Sequence, residues 1–337
     1  MKIFSIIIPV YNGQNVIGRA LDSIYSQGMT DDSFEVICVD DCSPTMEAFE
    51  VINDYTYAGI HPANLKILRH ETNKRQGGAR NTGLNHAEGE WILYLDQDDS
   101  FVENSLQKLL KEFHESIDVG MLVFDSLTID IRFHSSASSE AYHDDSIYNS
   151  EVIETSEYLK NYPVPWSPWH YAYRRSLLLE HNIKFVECVR WEDLDYVMKS
   201  LLSVDYIKRI PLTVYKYVLT GENTSIMGKD MVRIEDWMKM SVRIKDVAES
   251  FMYSKGEAAN TVMNHHIYHY STLLKRTLWR LPYGTILKLL NRYTPYEKSG
   301  NALIDFTRKH PHTYAVLAQV VRPFLLTAVW VRNKVKK

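Results

Sequence analysis

The feature that most constrains the fold is a short apolar run that ends in three carboxylates. Residues 91–95 read Trp-Ile-Leu-Tyr-Leu, and Asp96, Asp98 and Asp99 follow almost at once. An apolar run of this length without alternation is typical of a strand buried on both faces of a parallel sheet. Open α/β sheets bind ligands at the carboxyl ends of such strands, so these acids are predicted to border a binding crevice.

Two earlier apolar runs also end in polar residues. Residues 4–10 precede Tyr-Asn-Gly, and residues 36–39 precede Asp40 and Asp41. No basic stretch or small-residue cleavage site accompanies the first run, so it is predicted to be a strand and not a signal peptide. The chain is therefore expected to act in the cytoplasm, with all three sets of polar residues at one edge of a sheet.

Strand and helix signals alternate through this part of the chain. Apolar residues at helical spacing predict a helix over residues 16–24, and a second helix is predicted from Gly78 to His86. Further strands are predicted at residues 65–68 and 121–125. The alternation predicts right-handed βαβ units, an α/β fold and a mostly parallel sheet with helices on both faces.

Composition fits a folded enzyme of a reducing compartment. The chain has 337 residues, of which 45% are hydrophobic, and a net charge of −4, which suits one large domain with an extension or two domains. Cys38, Cys42 and Cys188 show neither disulfide nor metal-ligand spacing. Nothing in the overall charge indicates nucleic acid binding.

Five motifs, in order, resemble those of the family 2 glycosyltransferases. They are IIIPVYN at 6–12, VDDCS at 39–43, GGARNTGL at 77–84, LDQDD at 95–99 and WEDLD at 191–195. Each is weak alone, but five ordered matches over roughly two thirds of the chain are specific. The resemblance implies a Rossmann-like GT-A fold and inverting transfer of a sugar from a nucleotide diphosphate donor, usually a UDP-sugar.

The resemblance also implies a division of the chain. Residues 1–230 are expected to form the GT-A domain, with a nucleotide-sugar-binding half at 1–125 and an acceptor-binding half at 126–230. Residues 231–337 are expected to form a helical C-terminal region that serves membrane association or oligomerisation.

The first motifs are expected to bind the nucleotide. Tyr11 can stack on the base or lie along the ribose, unless it is an ordinary loop aromatic. Asp41, beside Asp40, can accept the N–H of a uracil ring, and the other acid is expected to cap the next helix. The remaining positions expected to contact the nucleotide sugar are Pro9, Asn12, Arg75, Gly77, Arg80, Asp96 and Gln97.

Basic residues surround a pair of glycines in the third motif. Guanidinium groups pair with phosphate oxygens, and glycines let the backbone approach a ligand closely. Arg80 is therefore predicted to face the phosphates, the alternative being a structural salt bridge. Arg75 and Arg80 are ordinary surface charges on a further interpretation, and the role of Lys74 stays open.

Asp96 and Asp98 form a D-x-D pair. Two such carboxylates can share a divalent cation, which in turn holds a diphosphate. The resemblance implies that Asp98 binds Mn²⁺ or Mg²⁺ and that Asp96 contacts the ribose directly or through the same ion. The alternative is a solvated acidic loop. Asp99 is expected to help at the site or to cap the helix that begins near Asn104.

An inverting displacement needs one base to take the proton of the acceptor hydroxyl. Asp193 matches the second acid of the family's Glu-Asp pair, ahead of a helix predicted over residues 194–202, and is expected to be that catalytic base. The alternative is a first-turn acid favoured by the helix dipole. Glu192 is expected to contact the acceptor.

A stretch rich in proline and aromatic residues, 165–175, is predicted to be a rigid loop that forms the acceptor wall. Trp166, Trp169 and His170 are the expected contacts, and the alternative for the two tryptophans is a place in the core. Residues 215–225 resemble the family's closing strand and a loop that folds over the diphosphate.

The chain departs from the family pattern at four positions. The family more often has Asn and Lys where His170 and Tyr171 stand, and Gly where Cys42 and Trp191 stand. These departures leave the donor sugar and the acceptor undetermined.

The C-terminal region is predicted to be helical and basic. Residues 238–251 and 268–281 show helical spacing of apolar residues. Residues 314–331 are mostly apolar and precede a basic tail, but Arg322 and Pro323 argue against a membrane span. An interfacial helix on an anionic leaflet is predicted, with a docked terminal helix as the alternative. Peripheral membrane contact suits a lipid-linked glycan acceptor in surface polysaccharide assembly.

Two other classes of function stay open on the sequence. A sugar nucleotidyltransferase needs a glycine- and basic-rich loop after the first strand, where this chain has Tyr-Asn-Gly-Gln at residues 11–14. A catalytically silent sugar-nucleotide-binding or scaffold protein would keep Asp41 and Asp98 but would be indifferent to the loss of Asp193.

Overall fold

The computed structural model divides the chain into two compact units, Met1–Thr224 and Ser225–Lys337. It describes residues 2–116, 118–130, 150–219, 231–276, 278–294 and 299–322. The predicted loop at 223–225 and the basic tail after residue 322 lie outside the described residues.

The first unit is built on one mixed sheet. Its strands are β1 (Phe4–Val10), β2 (Phe34–Asp40), β3 (Leu65–Arg69), β4 (Trp91–Tyr94), β5 (Ser100–Phe101), β6 (Met121–Asp130), β7 (Glu151–Glu154), β8 (Tyr171–Arg174) and β9 (Tyr206–Leu219). The strand order is β3-β2-β1-β4-β8-β6-β9-β5, and β7 also pairs with β9. β1 to β4, β6 and β9 run in one direction, so the prediction of a mostly parallel α/β sheet is confirmed.

The predicted apolar runs form the centre of this sheet. Every residue of β1, β2 and β4 is buried, which explains why these segments carry no polar alternation. Ile7 pairs with Ile37 on one side and with Tyr94 on the other. This register brings the residues that follow β1, β2 and β4 to the same edge of the sheet.

Helices flank the sheet. Those of the first unit are α1 (Ile17–Tyr25), α2 (Glu47–Asn53), α3 (Arg75–His86), α4 (Ser105–Glu115), α5 (Thr155–Asn161), α6 (Arg175–Glu180) and α7 (Glu192–Leu202). The helix predicted from Gly78 begins three residues earlier, at Arg75. Gly83 lets α3 approach the sheet closely, because a Cβ there would lie 2.4 Å from Cγ2 of Ile7.

The stretch 165–175 is not the rigid loop that its prolines and aromatics predicted. Pro168–His170 is a single turn of 3₁₀-helix, and the next four residues are β8, in the middle of the sheet between β4 and β6. Tyr171 and Tyr173 are fully buried. Aromatic residues favour strands as well as sugar-binding surfaces, and here the tertiary environment selects the strand.

The second unit is helical. Its helices are α8 (Met231–Phe251), α9 (Gly256–Arg276), α10 (Tyr283–Tyr293) and α11 (Ala302–Lys309), with a turn of 3₁₀-helix at Leu278–Arg280. The second predicted amphipathic helix ends earlier than its apolar pattern predicts, because Leu278 and Leu281 lie beyond the end of α9. Tyr268, assigned to its apolar face, is 66% exposed.

Residues 311–322 form a further helix that docks on the rest of this unit. The Tyr314 hydroxyl donates to the carbonyl of Leu274 at 2.5 Å, and Nε2 of Gln319 donates to the carbonyl of Leu281 at 2.8 Å. One face of this helix is therefore docked on the second unit, as the alternative interpretation of the sequence predicts. In the part of the chain that the structure describes, no helix is long and apolar enough to cross a membrane.

Candidate active site

The loops after β1 and β4 hold each other at the carboxyl edge of the sheet. The Tyr11 amide donates to Oε1 of Gln97 at 2.9 Å, and Nε2 of Gln97 donates to the Tyr11 carbonyl at 3.1 Å. Gln97 thus holds the loop that carries Tyr11, and its contact with the nucleotide sugar stays a prediction. The Tyr11 side chain is 48% exposed, as stacking on a flat ligand requires.

The loops after β1 and β2 are joined in the same way. The Asn12 amide donates to Oγ of Ser43 at 2.8 Å, and the Asp41 amide donates to the Val10 carbonyl at 2.8 Å. Asn12, Asp41 and Tyr11 are therefore brought together as predicted. Pro9 lies inside β1 and is buried, and its contact with the nucleotide sugar stays a prediction.

Asp40 is a structural residue. Its carboxylate pairs with Arg69 and accepts hydrogen bonds from the Ser43 hydroxyl and, at 3.1 Å, from the Ser43 amide. The side chain is fully buried. No side chain in the described part of the chain caps α2, so the expected helix cap is wrong for Asp40, and its nucleotide contact stays a prediction. The buried Asp40 carboxylate is thus fixed in place by its ion pair with Arg69.

Asp41 organises the start of α3. Its Oδ1 accepts from the Lys74 amide at 2.8 Å and from Nδ1 of His70 at 2.7 Å. Because a carboxylate can only accept, Nδ1 carries the proton, and Nε2 accepts from the Thr82 hydroxyl at 2.8 Å. Sequence reasoning missed His70, although its position directly after a parallel strand was a usable signal.

Arg80 lies at the centre of a cluster of three acids, which we call the Arg80 cluster (Arg80, Asp96, Glu192 and Asp193). Nη2 donates to Oδ1 of Asp96 at 2.7 Å, Nη1 donates to Oδ1 of Asp193 at 2.6 Å, and Oε1 of Glu192 is 3.6 Å from Nη1. The Arg80 side chain is 1% exposed. The salt-bridge alternative describes the contacts that Arg80 makes, and its phosphate contact stays a prediction.

Burial and neighbouring charges shift the pKa values of Arg80, Glu192 and Asp193. Burial opposes the charged form of Arg80, yet Asp193, Asp96 and Glu192 together raise its pKa above the ordinary value. Burial and the charge of Asp193 raise the pKa of Glu192 to about 8, so this carboxyl is mostly protonated at neutral pH. Burial also raises the pKa of Asp193, against the lowering effect of Arg80.

The two acids that begin α7 differ in access. The Asp193 side chain is 31% exposed, whereas that of Glu192 is 5% exposed. A Cβ on Gly77 would lie 2.7 Å from the Val186 carbonyl and 3.2 Å from Cγ of Glu192. Close packing explains Gly77 and buries Glu192, and their predicted contacts with ligand and acceptor stay predictions.

The acids after β4 have three different environments. The Asp96 side chain is 17% exposed and shares Arg80, whereas Asp98 is half-buried and its pKa is raised by burial and by the charge of Asp96. Asp99 is fully buried. Its Oδ2 accepts from the Tyr215 hydroxyl at 2.7 Å and its Oδ1 accepts from the Val218 amide at 2.8 Å. Asp99 therefore anchors β9. Its predicted helix cap is wrong, because no side chain caps α4 in the described structure, and its predicted part in the site stays a prediction.

A divalent cation fits the pair Asp96 and Asp98 in chemical type. Mg²⁺ and similar ions are commonly held by one or two carboxylates together with substrate phosphates. Burial and the charge of Asp96 raise the pKa of Asp98, and a cation would relieve this effect. Among the described residues, no group of three or more His, Cys, Asp or Glu side chains could hold a metal, so remaining ligands would have to come from substrate or solvent.

The predicted acceptor residues separate into core and surface. Trp169 is 8% exposed and stacks on Tyr215, with ring centroids 4.1 Å apart, and on His170 at 3.9 Å. The core alternative is correct for Trp169. His170 is half-buried, and its Nε2 lies 3.0 Å from Oγ of Ser126. Burial lowers the pKa of His170 to about 4. Trp166 is partly exposed, and its acceptor contact stays a prediction.

Strained backbone concentrates around this edge of the sheet. Five of the eight described non-glycine residues with positive φ lie in its loops: Asn12, Cys42, Arg75, Cys188 and Trp191. Cys42 and Trp191, with φ of 59° and 68°, are the two positions where the family more often has glycine. The preference of the family for glycine at these two positions is thus explained by the left-handed backbone conformation, which glycine adopts without strain. Left-handed residues are costly and cluster at functional sites. Arg75 is half-buried at the start of α3, and its phosphate contact stays a prediction.

The fold and the site define a class of protein. A mostly parallel sheet with D-x-D acids at its carboxyl edge, facing a second acidic pair at the start of a helix, is the GT-A architecture. The model of the family "Glycosyl transferase family 2" matches residues 5–167. Residues 5–167 therefore match a family 2 glycosyltransferase domain, and the resemblance to this family is confirmed.

Curated relatives include enzymes of cell-surface polymer synthesis. The poly(ribitol-phosphate) beta-N-acetylglucosaminyltransferase TarS of Staphylococcus aureus is 29% identical over 246 residues, which cover 71% of this chain and 39% of TarS. The uncharacterized glycosyltransferase EpsJ of Bacillus subtilis is 28% identical over 219 residues, 64% of this chain and 61% of EpsJ. The matches thus span less than two thirds of the length of these relatives.

Solved structures show the same fold. The crystal structure of S. aureus TarS 1-349 in complex with UDP-GlcNAc has a TM-score of 0.72 at 21% identity, and the match covers 95% of this chain and 91% of that one. The crystal structure of S. aureus TarS gives a TM-score of 0.64 at 20% identity, covering 96% of this chain and 54% of that one. At this identity the likeness establishes the fold.

Proposed function

We propose that this protein is an inverting glycosyltransferase that moves a sugar from a UDP-sugar to a hydroxyl group of a glycan acceptor. The observation that carries the proposal is the Arg80 cluster. It joins an acid of the D-x-D pair, Asp96, to the acid expected to act as base, Asp193, through one buried guanidinium. Donor binding and proton removal would thus meet at one place.

In the proposed reaction Asp193 is the catalytic base. The acceptor oxygen attacks the anomeric carbon, its proton passes to the Asp193 carboxylate, and the bond from the anomeric carbon to the diphosphate breaks. The 31% exposure of Asp193 gives a hydroxyl access. Burial and the charge of Asp193 raise the pKa of its neighbour Glu192 to about 8, and Asp193 is the member of the pair whose carboxylate reaches solvent.

We further propose that Asp98, together with Asp96, holds Mn²⁺ or Mg²⁺. Such an ion would neutralise charge on the leaving diphosphate. The support is the type and spacing of the two carboxylates and the raised pKa of Asp98. Asp41 and the exposed ring of Tyr11 lie where a uracil ring would be recognised, at the ends of β2 and β1.

The relatives supply the setting of the proposal. TarS is named for transfer of N-acetylglucosamine to poly(ribitol-phosphate), and it was crystallised with UDP-GlcNAc. We therefore propose a UDP-sugar donor and an acceptor that belongs to a cell-surface polymer, assembled on a lipid carrier at the cytoplasmic face of the membrane.

The first test is thermal stabilisation of the protein by UDP, UDP-GlcNAc, UDP-glucose and GDP, each with and without Mn²⁺, since a ligand that binds only the native state raises its stability. A metal-dependent shift with uridine ligands supports the donor site. The shifted UDP-sugars are then tested for transfer, read as release of UDP. No shift with any uridine ligand, with or without metal, would refute the proposal.

Two variants separate catalysis from binding. We expect Asp193→Asn to keep the UDP shift and to lose transfer by about a hundredfold or more, since general-base catalysis contributes that much. Glu157→Gln is the matched control, because Glu157 is also a first-turn acid, of α5, and is exposed. Asp98→Asn should lose the metal-dependent part of the shift. Retained transfer in Asp193→Asn would refute the assignment of Asp193 as the catalytic base.

A further inference from the structure

The helix of residues 311–322 exposes an apolar face, which we call the Val-Leu stripe. It consists of Val316, Leu317, Val320 and Val321, which are 51%, 49%, 59% and 43% exposed. Residues spaced by one, four and five positions lie on one side of a helix. Four neighbouring apolar side chains at this exposure form a patch of the kind that marks an interaction site.

The rotation of this helix is set by its opposite face. Tyr314, Ala315 and Ala318 are buried. Hydrogen bonds from Tyr314 and Gln319 to backbone carbonyls outside the helix hold that face in place. The stripe therefore cannot turn inward without breaking both bonds. Its exposure follows from the docking of the helix.

The charge around this helix indicates what covers the stripe. Residues 271–337 contain 13 Lys and Arg but only two Asp and Glu, a net charge of +11, whereas residues 1–270 carry −15. Arg308 and Lys309 precede the helix, Arg322 is its last described residue, and four further basic residues lie in the last six of the chain. A second copy of so basic a region would be repelled, while an anionic surface would attract it.

We propose that the Val-Leu stripe is a docking surface for an anionic phospholipid bilayer. The helix would lie in the plane of the interface with Val316, Leu317 and Val320 among the acyl chains. The surrounding Lys and Arg side chains would meet lipid phosphates. The surface would hold the protein at the face of the membrane where a lipid-linked acceptor is presented. The contact itself does not depend on the proposed transfer activity.

The test is co-flotation of the full-length protein with vesicles, without donor or acceptor. We expect binding to vesicles of phosphatidylcholine with phosphatidylglycerol, little binding to phosphatidylcholine alone, and weaker binding at high salt. The triple variant V316S/L317S/V320S should bind these vesicles at least about tenfold more weakly than the wild type, because each buried apolar group adds to interfacial binding. Wild-type binding by the triple variant would overturn the proposal, as would failure of the wild type to float.

A matched control uses exposed apolar residues of the other unit. Ile60 and Val152 are 72% and 56% exposed, and the double variant I60S/V152S should float like the wild type. Unchanged melting temperatures show that the variants fold. Light scattering tests whether a second copy of the chain covers the stripe instead. A wild-type dimer that is absent in the triple variant would overturn the bilayer proposal in favour of self-association. Because no substrate is present, the outcome is independent of whether the UDP-sugar proposal holds.

Discussion

At the scale of single residues, the site depends on how buried charges are matched. Arg80 neutralises acids from two separate segments, Asp96 after β4 and Asp193 at the start of α7. Asp40 and Asp99 are fully buried and bound by protein groups. Asp96, Asp98 and Asp193 keep partly exposed side chains that a ligand can reach.

Arg80→Ala should lower the free energy of unfolding by about 3–5 kcal/mol, because removing one partner of a buried ion pair leaves uncompensated charge. Urea denaturation measures the change. Arg209→Ala is the control, since Arg209 pairs with Glu151 at the surface, where both side chains are at least 32% exposed. That pair should be worth at most about 1 kcal/mol. An equal loss in the two variants would contradict the role of the Arg80 cluster.

Glu192 makes stability depend on pH. Its pKa is raised from 4.5 to about 8, so between these values the native state keeps a proton that the unfolded chain has lost. The native state should therefore lose stability as pH rises across this interval. Glu192→Gln mimics the neutral acid at every pH, and its melting temperature should fall less steeply than that of the wild type. An identical slope in the variant would refute the raised pKa.

At the scale of secondary-structure elements, β9 holds the loop that carries the D-x-D pair. The Tyr215 hydroxyl donates to Asp99 and accepts from the Asp96 amide at 3.1 Å. The Val218 amide donates to the other Asp99 oxygen. Trp169 stacks on the Tyr215 ring, so the 3₁₀ turn ahead of β8 supports the same contact. The position of Asp96 is thus set by an element far from it in sequence.

Tyr215→Phe should weaken the stabilisation by UDP and Mn²⁺ while the ring keeps its stacking. The loss of the bridging hydroxyl leaves the Asp96 amide and a buried carboxylate oxygen without this partner, which costs about 1–3 kcal/mol. Tyr55→Phe is the matched control, because the Tyr55 hydroxyl also donates to a carboxylate, Asp22, at 2.8 Å, but beside α1. Equal UDP shifts in the two variants would show that Tyr215 does not position the loop.

At the scale of the whole molecule, the chain consists of two units with separate cores. The proposed donor and base residues all belong to Met1–Thr224, whereas the Val-Leu stripe belongs to Ser225–Lys337. Separate cores can unfold in separate transitions. Chemistry and the proposed membrane contact thus lie in different folded units.

Calorimetry tests this division. We expect two unfolding transitions, of which UDP with Mn²⁺ raises only the one that belongs to the first unit. Met238→Ala, which removes a fully buried side chain of α8, should lower only the other transition, by about 2–5 kcal/mol in free energy. A single transition that responds to both changes would show that the units unfold together.

The sequence by itself determined the strands, their direction and the edge where the acids gather. Runs such as residues 4–10 and 91–95 are continuous and apolar, and this local pattern suffices to identify buried parallel strands. It failed for residues 171–174, where aromatic residues between prolines were interpreted as a loop, because short strands and sugar-binding loops use the same residue types.

Only the tertiary structure decided which charged residues face ligand and which face protein. Arg80 meets Asp193 across 113 positions, and Asp99 meets Val218 across 119. Partners so distant leave no mark on local sequence pattern. A carboxylate at a strand end has the same sequence signature whether its partner is an arginine, a tyrosine hydroxyl or a metal ion. The choice among them depends on burial, which long-range packing creates.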